Sequence, residues 1–91
     1  MSKWIDRGDD YTYMIAGQAA YRAIKENGHW RIDRSEFLTL AGQVVQSPWE
    51  AMDSVFYVDK ETAKEAIRQW LLKKSLEIPE MTVIQHSHDS V

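Results

Sequence analysis

Apolar residues in the first third of the chain recur at helical spacing. Between Tyr11 and Glu26, the positions Tyr13, Ala16, Ala20, Ala23 and Ile24 fall three and four residues apart, interrupted only by Gly17. Asp9 and Asp10 stand where short carboxylates accept the free N–H groups of a first helical turn, and Asn27-Gly28 offers a left-handed stop. The pattern predicts a helix over 11–26 whose small residues let a neighbouring element approach its backbone.

Further along, His29-Trp30-Arg31-Ile32-Asp33 alternates polar and apolar and predicts a short strand or extended link. Asp33 and Glu36 form a capping box ahead of Phe37, Leu38, Leu40, Ala41, Val44 and Val45, whose wide apolar arc predicts a central helix. Ser47-Pro48-Trp49-Glu50 repeats the capping signal, with proline at the first helical position, and predicts a short helix ending near Phe56. Val55-Phe56-Tyr57-Val58 is β-branched and aromatic and suits extended chain. Asp59 caps a last helix over 60–75, with Ala63, Ala66, Ile67, Trp70 and Leu71 inward and Lys60, Glu61, Lys64, Glu65 and Arg68 in water. Pro79 should end it, leaving Met81–His86 to alternate as a short strand.

Together these elements predict a mainly α fold with a minimal β element: three to four helices around one core, plus a short C-terminal strand. The element order is similar to that of a winged-helix domain, as an analogy of fold alone. At 91 residues the chain is expected to form one small globular domain, with 1–9 and 86–91 as flexible tails. No cysteine is present, which excludes a disulfide framework, a thiolate metal site and a cysteine nucleophile. The first residues carry no apolar leader and no run is long enough for a membrane helix, so a cytoplasmic protein with no membrane partner is expected.

Eleven basic against 14 acidic residues give a net charge of −3, a poor match to a phosphate backbone. The stretch 35–59 has four acids (Glu36, Glu50, Asp53 and Asp59) and no Lys or Arg, so the short helix at the recognition position would be repelled by DNA. A basic last helix carrying Lys60, Lys64 and Arg68 is the alternative, nucleic-acid-binding route. His86-Ser87-His88-Asp89 has the residue types of a metal site, but at a chain end it reads as a solvated tail, and no metal or other cofactor is expected. The four glycines stand apart and form no phosphate-binding loop, and no catalytic residues are assigned, so an enzyme is not expected. What remains is a small protein-binding module, an adaptor, inhibitor or regulatory subunit. Its expected contact surface is acidic and aromatic: Trp49, Glu50, Met52, Asp53 and Phe56. Its expected partner is another protein with a basic surface, or a second copy of the chain.

Overall fold

The computed structural model describes residues 3–86, and their side chains as far as Ser75. It overturns the mainly α expectation. An antiparallel sheet of six strands, β1 (Ile5–Asp6), β2 (Tyr11–Ala16), β3 (Ala19–Glu26), β4 (His29–Leu40), β5 (Gln43–Gln46) and β6 (Glu50–Ala51), precedes a single helix, α1 (Lys60–His86). This is a sheet-rich domain and not a small helical one, and the winged-helix analogy falls with it. The strands run in sequence order β1-β2-β3-β4-β5, and β6 pairs with β4 just beyond β5.

The correction begins at the turns. Asn27 and Gly28 both have positive φ, 55° and 81°, and join β3 to β4 with Glu26 opposite His29. That is the two-residue turn whose twist matches a β-hairpin, so Asn-Gly here closes a hairpin and does not stop a helix. Gly17-Gln18 is also a two-residue turn, with Gly17 alone at positive φ (63°), and closes β2 on β3 with Ala16 opposite Ala19. With turns at 17–18 and 27–28, the relevant period becomes two. Thr12 and Met14, then Ala19, Tyr21 and Ala23, lie buried on one face. Of the alanines that read as a helical stripe, Ala23 and Ala16 lie on the face that α1 covers, and Ala20 lies on the other.

Both capping-box readings, at Asp33 and at Ser47, are also overturned. Asp33 is mid-strand in β4, opposite Arg22, and the Ser47 hydroxyl accepts the Glu36 backbone N–H at 2.9 Å. The predicted central helix over 37–45 is the hairpin β4–β5, and the predicted helix after Ser47 is an irregular link through β6. Asp59 does cap α1, its Oδ1 accepting the Thr62 N–H at 2.8 Å. The helix continues to His86, past the proline expected to end it and through the predicted strand Met81–His86.

Helix α1 covers one face of the sheet only. Ala63 and Ile67 are wholly buried against Met14, Tyr21, Ala23, Trp30 and Ile32, with Trp4, Met52, Trp70 and Leu71 around the rim. Among the described residues no helix is long and apolar enough to cross a membrane. The two-histidine tail motif ends at residues 87–89, outside the described residues.

Candidate functional site

The opposite, helix-free face is built from the other half of each strand's alternation. β2 contributes Tyr11, Tyr13 and Ile15; β3 contributes Ala20 and Arg22; β4 contributes Arg31, Asp33, Ser35 and Phe37. Register places Tyr13, Arg22 and Asp33 in one row across three strands, and Ile15, Ala20 and Ser35 in the next.

Asp33 anchors this face. Its side chain is wholly buried, and Oδ2 accepts hydrogen bonds from Arg22 Nε at 2.7 Å and Arg31 Nε at 3.3 Å. Oδ1 also lies 3.3 Å from Arg31 Nε but accepts no hydrogen bond of its own. The charge of Asp33 raises the Arg31 pKa above the usual guanidinium value, with a smaller contribution from Glu26. Above this carboxylate, the Arg22 guanidinium is stacked 4.4 Å from the Trp49 ring centroid and 5.6 Å from that of Tyr11. Carboxylate, guanidinium and indole therefore form three layers, with the indole outermost. Trp49 reaches this position because Ser47 ends the β5 ladder and β6 resumes it at Glu50, and the intervening Pro48-Trp49 carries the ring onto the open face.

Beside Trp49 lies a shallow groove of about 530 Å³, lined by Arg7, Tyr11, Tyr13, Ile15, Ala20, Phe37, Gln46 and Trp49. Ile15 is 51% exposed on its floor, and Arg7 lies 5.6 Å from the Tyr13 ring centroid. The groove offers aromatic and aliphatic surface, with guanidinium and phenol groups as donors. Among the described residues no three His, Asp or Glu side chains converge as a metal site.

The structure distributes the five residues expected to bind a partner. Trp49 alone joins the groove. Met52 packs from the other side against the core, Glu50 is exposed opposite Arg34, and Asp53 accepts the Tyr57 hydroxyl at 2.6 Å. Burial first, and then this hydrogen bond, raise the Tyr57 pKa to about 12. Phe56 is 61% exposed, its ring 6.1 Å from that of His29. The bases of the alternative route each have an acidic neighbour: Lys60 lies 3.6 Å from Asp6, Lys64 3.4 Å from Glu61, and Arg68 pairs with Glu65. The groove residues Tyr11, Tyr13, Ile15 and Phe37, and Arg22 beside them, are not among the residues expected from the sequence, although Tyr11-x-Tyr13-x-Ile15 alternates visibly once a strand is allowed. Comparison with protein-family models, with curated proteins and with solved structures finds no match for this chain.

Proposed function

We propose that this chain is a small protein-binding module whose contact surface is the helix-free face, centred on the groove between Tyr13, Ile15, Phe37 and Trp49. The observation that carries the reading is the one-sided sheet: α1 buries one face, and the other presents an aromatic surface around a stacked arginine. Tyr, Trp and Arg are the residues that dominate binding energy at protein interfaces: Tyr and Trp present much contact area for few rotatable bonds, and Arg adds a planar fork of donors. The stack on Asp33 holds Arg22 and Trp49 in place before binding, which lowers the entropy lost on association. The chemistry of this face suits an apolar segment carrying a carboxylate for Arg7. Glu50, opposite Arg34 on the helix side, and Asp53, bound to the Tyr57 hydroxyl, lie outside this surface.

The test is capture from extract with immobilised wild-type chain and two variants, each with and without nuclease. Ile15→Glu, which places a charge on the groove floor, should abolish capture of a specific protein. Asp53→Lys, outside the groove, should retain it. Nuclease-sensitive recovery would transfer the aromatic face to nucleic acid, where bases stack on such rings. Equal capture by both variants would remove the groove from the account.

A further inference from the structure

We propose that two copies of this chain join edge to edge through β5, forming a two-fold dimer with one continuous sheet. The proposal stands on the β4–β5 hairpin and is independent of what the groove binds.

Among the described residues β5 is the outermost strand on its side, and α1 contacts β3 and β4 but not β5. Its hydrogen-bonding sense is defined. Ser47 donates its N–H to the Glu36 carbonyl at 2.8 Å, and register places Val45 opposite Leu38 and Gln43 opposite Leu40. Bonded and non-bonded pairs alternate along an antiparallel ladder, so residues 43, 45 and 47 bond inward to β4. The N–H and C=O groups of Val44 and Gln46 therefore point away from the sheet, along its free edge.

Edge strands are ordinarily protected against such pairing by lysine, by an inward charge or by a covering element. This one has no such charge. Residues 37–49 contain no Asp, Glu, Lys or Arg, in a chain that is 27% charged. The hairpin also exposes apolar side chains on both faces: Val44 is 71% exposed, Leu40 58%, Leu38 40% and Val45 37%.

A second copy fits this edge for reasons of charge and symmetry. A two-fold axis brings each side chain near its own copy, so any charge on the strand would meet its like; an uncharged strand escapes that repulsion. For antiparallel pairing the axis is normal to the sheet and passes through one residue paired with itself. Centred on Val45, it makes Val45 a non-bonded pair with its counterpart and sets Val44 opposite the partner's Gln46. Each of the outward N–H and C=O groups of Val44 and Gln46 then finds a partner. On the helix-side face, Leu38 and Val45 of each copy align as one apolar row across four strands. A four-residue edge buries less than the roughly 800 Å² per partner of stable complexes, so the dimer is reversible, with a Kd on the order of micromolar. Both grooves then face the same side of the joined sheet, presenting two contact surfaces to one partner.

Sedimentation of the whole chain from micromolar to submillimolar concentration tests this. The mass should rise from the 10.6 kDa of one chain towards twice that value. Val44→Pro removes only an outward N–H, which an edge strand tolerates, and should hold the mass at one chain with an unchanged circular-dichroism spectrum. Register is tested by oxidation of Val45→Cys and Val44→Cys, each the only thiol in its variant. Non-bonded antiparallel partners have Cα atoms about 4.5 Å apart, within the roughly 4.4–6.8 Å that a disulfide spans. Val45→Cys should therefore give a covalent dimer, and Val44→Cys should not. A wild-type chain that stays at 10.6 kDa throughout, or a Val44→Pro chain that associates like wild type, overturns the proposal. Preferential linkage through Val44→Cys overturns the Val45-centred register. A monomer whose partner capture is lost in Val44→Pro overturns the second copy in favour of an added extended peptide.

Discussion

The two halves of β4 share one ladder and live in different surroundings. Over 29–36 the strand pairs with β3 on one side and with β6, Tyr57 and Ser47 on the other, and it buries Trp30, Ile32, Asp33 and Ser35. Over 37–40 its one strand partner is β5, with a single further bond from the Phe37 N–H to the Gln18 carbonyl at 2.9 Å, and Leu38 and Leu40 are exposed. Composition runs opposite to burial: 29–36 holds Trp30 and Ile32 among four charged residues, and 37–40 holds Phe37, Leu38 and Leu40 with no charge. Position relative to α1 decides burial: Ala63 and Ile67 cover the first half, and among the described residues α1 makes no contact with β5. A two-stranded ribbon with no covering layer is at best marginally stable in water. The first half therefore holds the fold together, and the second is surface available for association.

The largest expected effect follows from two residues on the same strand and the same face. Ile32→Ala should cost about 3 kcal/mol, the usual consequence of deleting a buried side chain and leaving a cavity. Leu40→Ala, at 58% exposure, should cost less than about 0.5 kcal/mol. Chemical denaturation midpoints with a common slope give both numbers. Equal losses would mean that the hairpin is already covered at the concentration used, and the contrast would then have to be measured on the monomer.

Asp33 comes next. Replacing it by Asn keeps the shape but leaves Arg22, 15% exposed, without its counter-charge. Removing one member of a fully buried pair costs roughly 3–5 kcal/mol, and the partial exposure of Arg22 lowers the expected loss to about 2 kcal/mol. Trp49 rests on Arg22, so the same variant should also change Trp49 fluorescence before any unfolding. A stability loss without that spectral change would detach the groove wall from the ion pair.

The legible parts of this chain were the local ones. Asp59 as a cap, the inward stripe Ala63, Ile67 and Trp70, and the alternation from His29 to Asp33 each depend on neighbours in sequence, and the structure bears them out. The sheet was hidden because alanine at 16, 19, 20 and 23 satisfies a helical period and a strand period alike, and alanine prefers the helix. Only the turns decide between them, and Asn27-Gly28 fits both a helix stop and a hairpin. Asp33 was misread for a related reason: a short acid before an apolar run resembles a cap until a facing strand supplies Arg22. Of the groove, Trp49 is the one lining residue that the sequence also names as a candidate contact. Its neighbours Tyr13 and Ile15 come from a different strand, a contact that no single stretch of sequence records.

A pH test sharpens the first half of the comparison. Tyr57 bonds to Trp30 through both backbone groups and so closes the outer side of β4. Its pKa is raised from 10.0 to about 12 by burial and by Asp53, so the neutral phenol is favoured in the folded state. The associated stability is fully present below pH 10 and is lost as pH rises towards 12. Thermal midpoints of wild type should fall more steeply across that window than those of Tyr57→Phe. Parallel curves would mean that Tyr57 titrates alike in both states and adds nothing to the pH dependence.

The smallest effect tests the second half most directly. Ala41 occupies the first turn position between β4 and β5 with φ 53°, a left-handed conformation followed by Gly42 at φ 81°. An L-residue pays roughly 1–2 kcal/mol there, and glycine avoids that strain while adding about 0.5–1 kcal/mol of unfolded-chain entropy. Ala41→Gly should therefore gain about 0.5 kcal/mol, but where the gain is felt depends on how the hairpin is coupled to the rest. If the arm opens on its own, the inward-bonded Val45 N–H should exchange with solvent about twofold more slowly, while core amides such as Ile32 and the global midpoint do not move. If the arm unfolds only with the core, both amides slow together and the midpoint rises. The first outcome is expected, because among the described residues no side chain of α1 ties the hairpin to the covered face, and an arm that opens locally is one that a second copy or a partner stabilises by pairing.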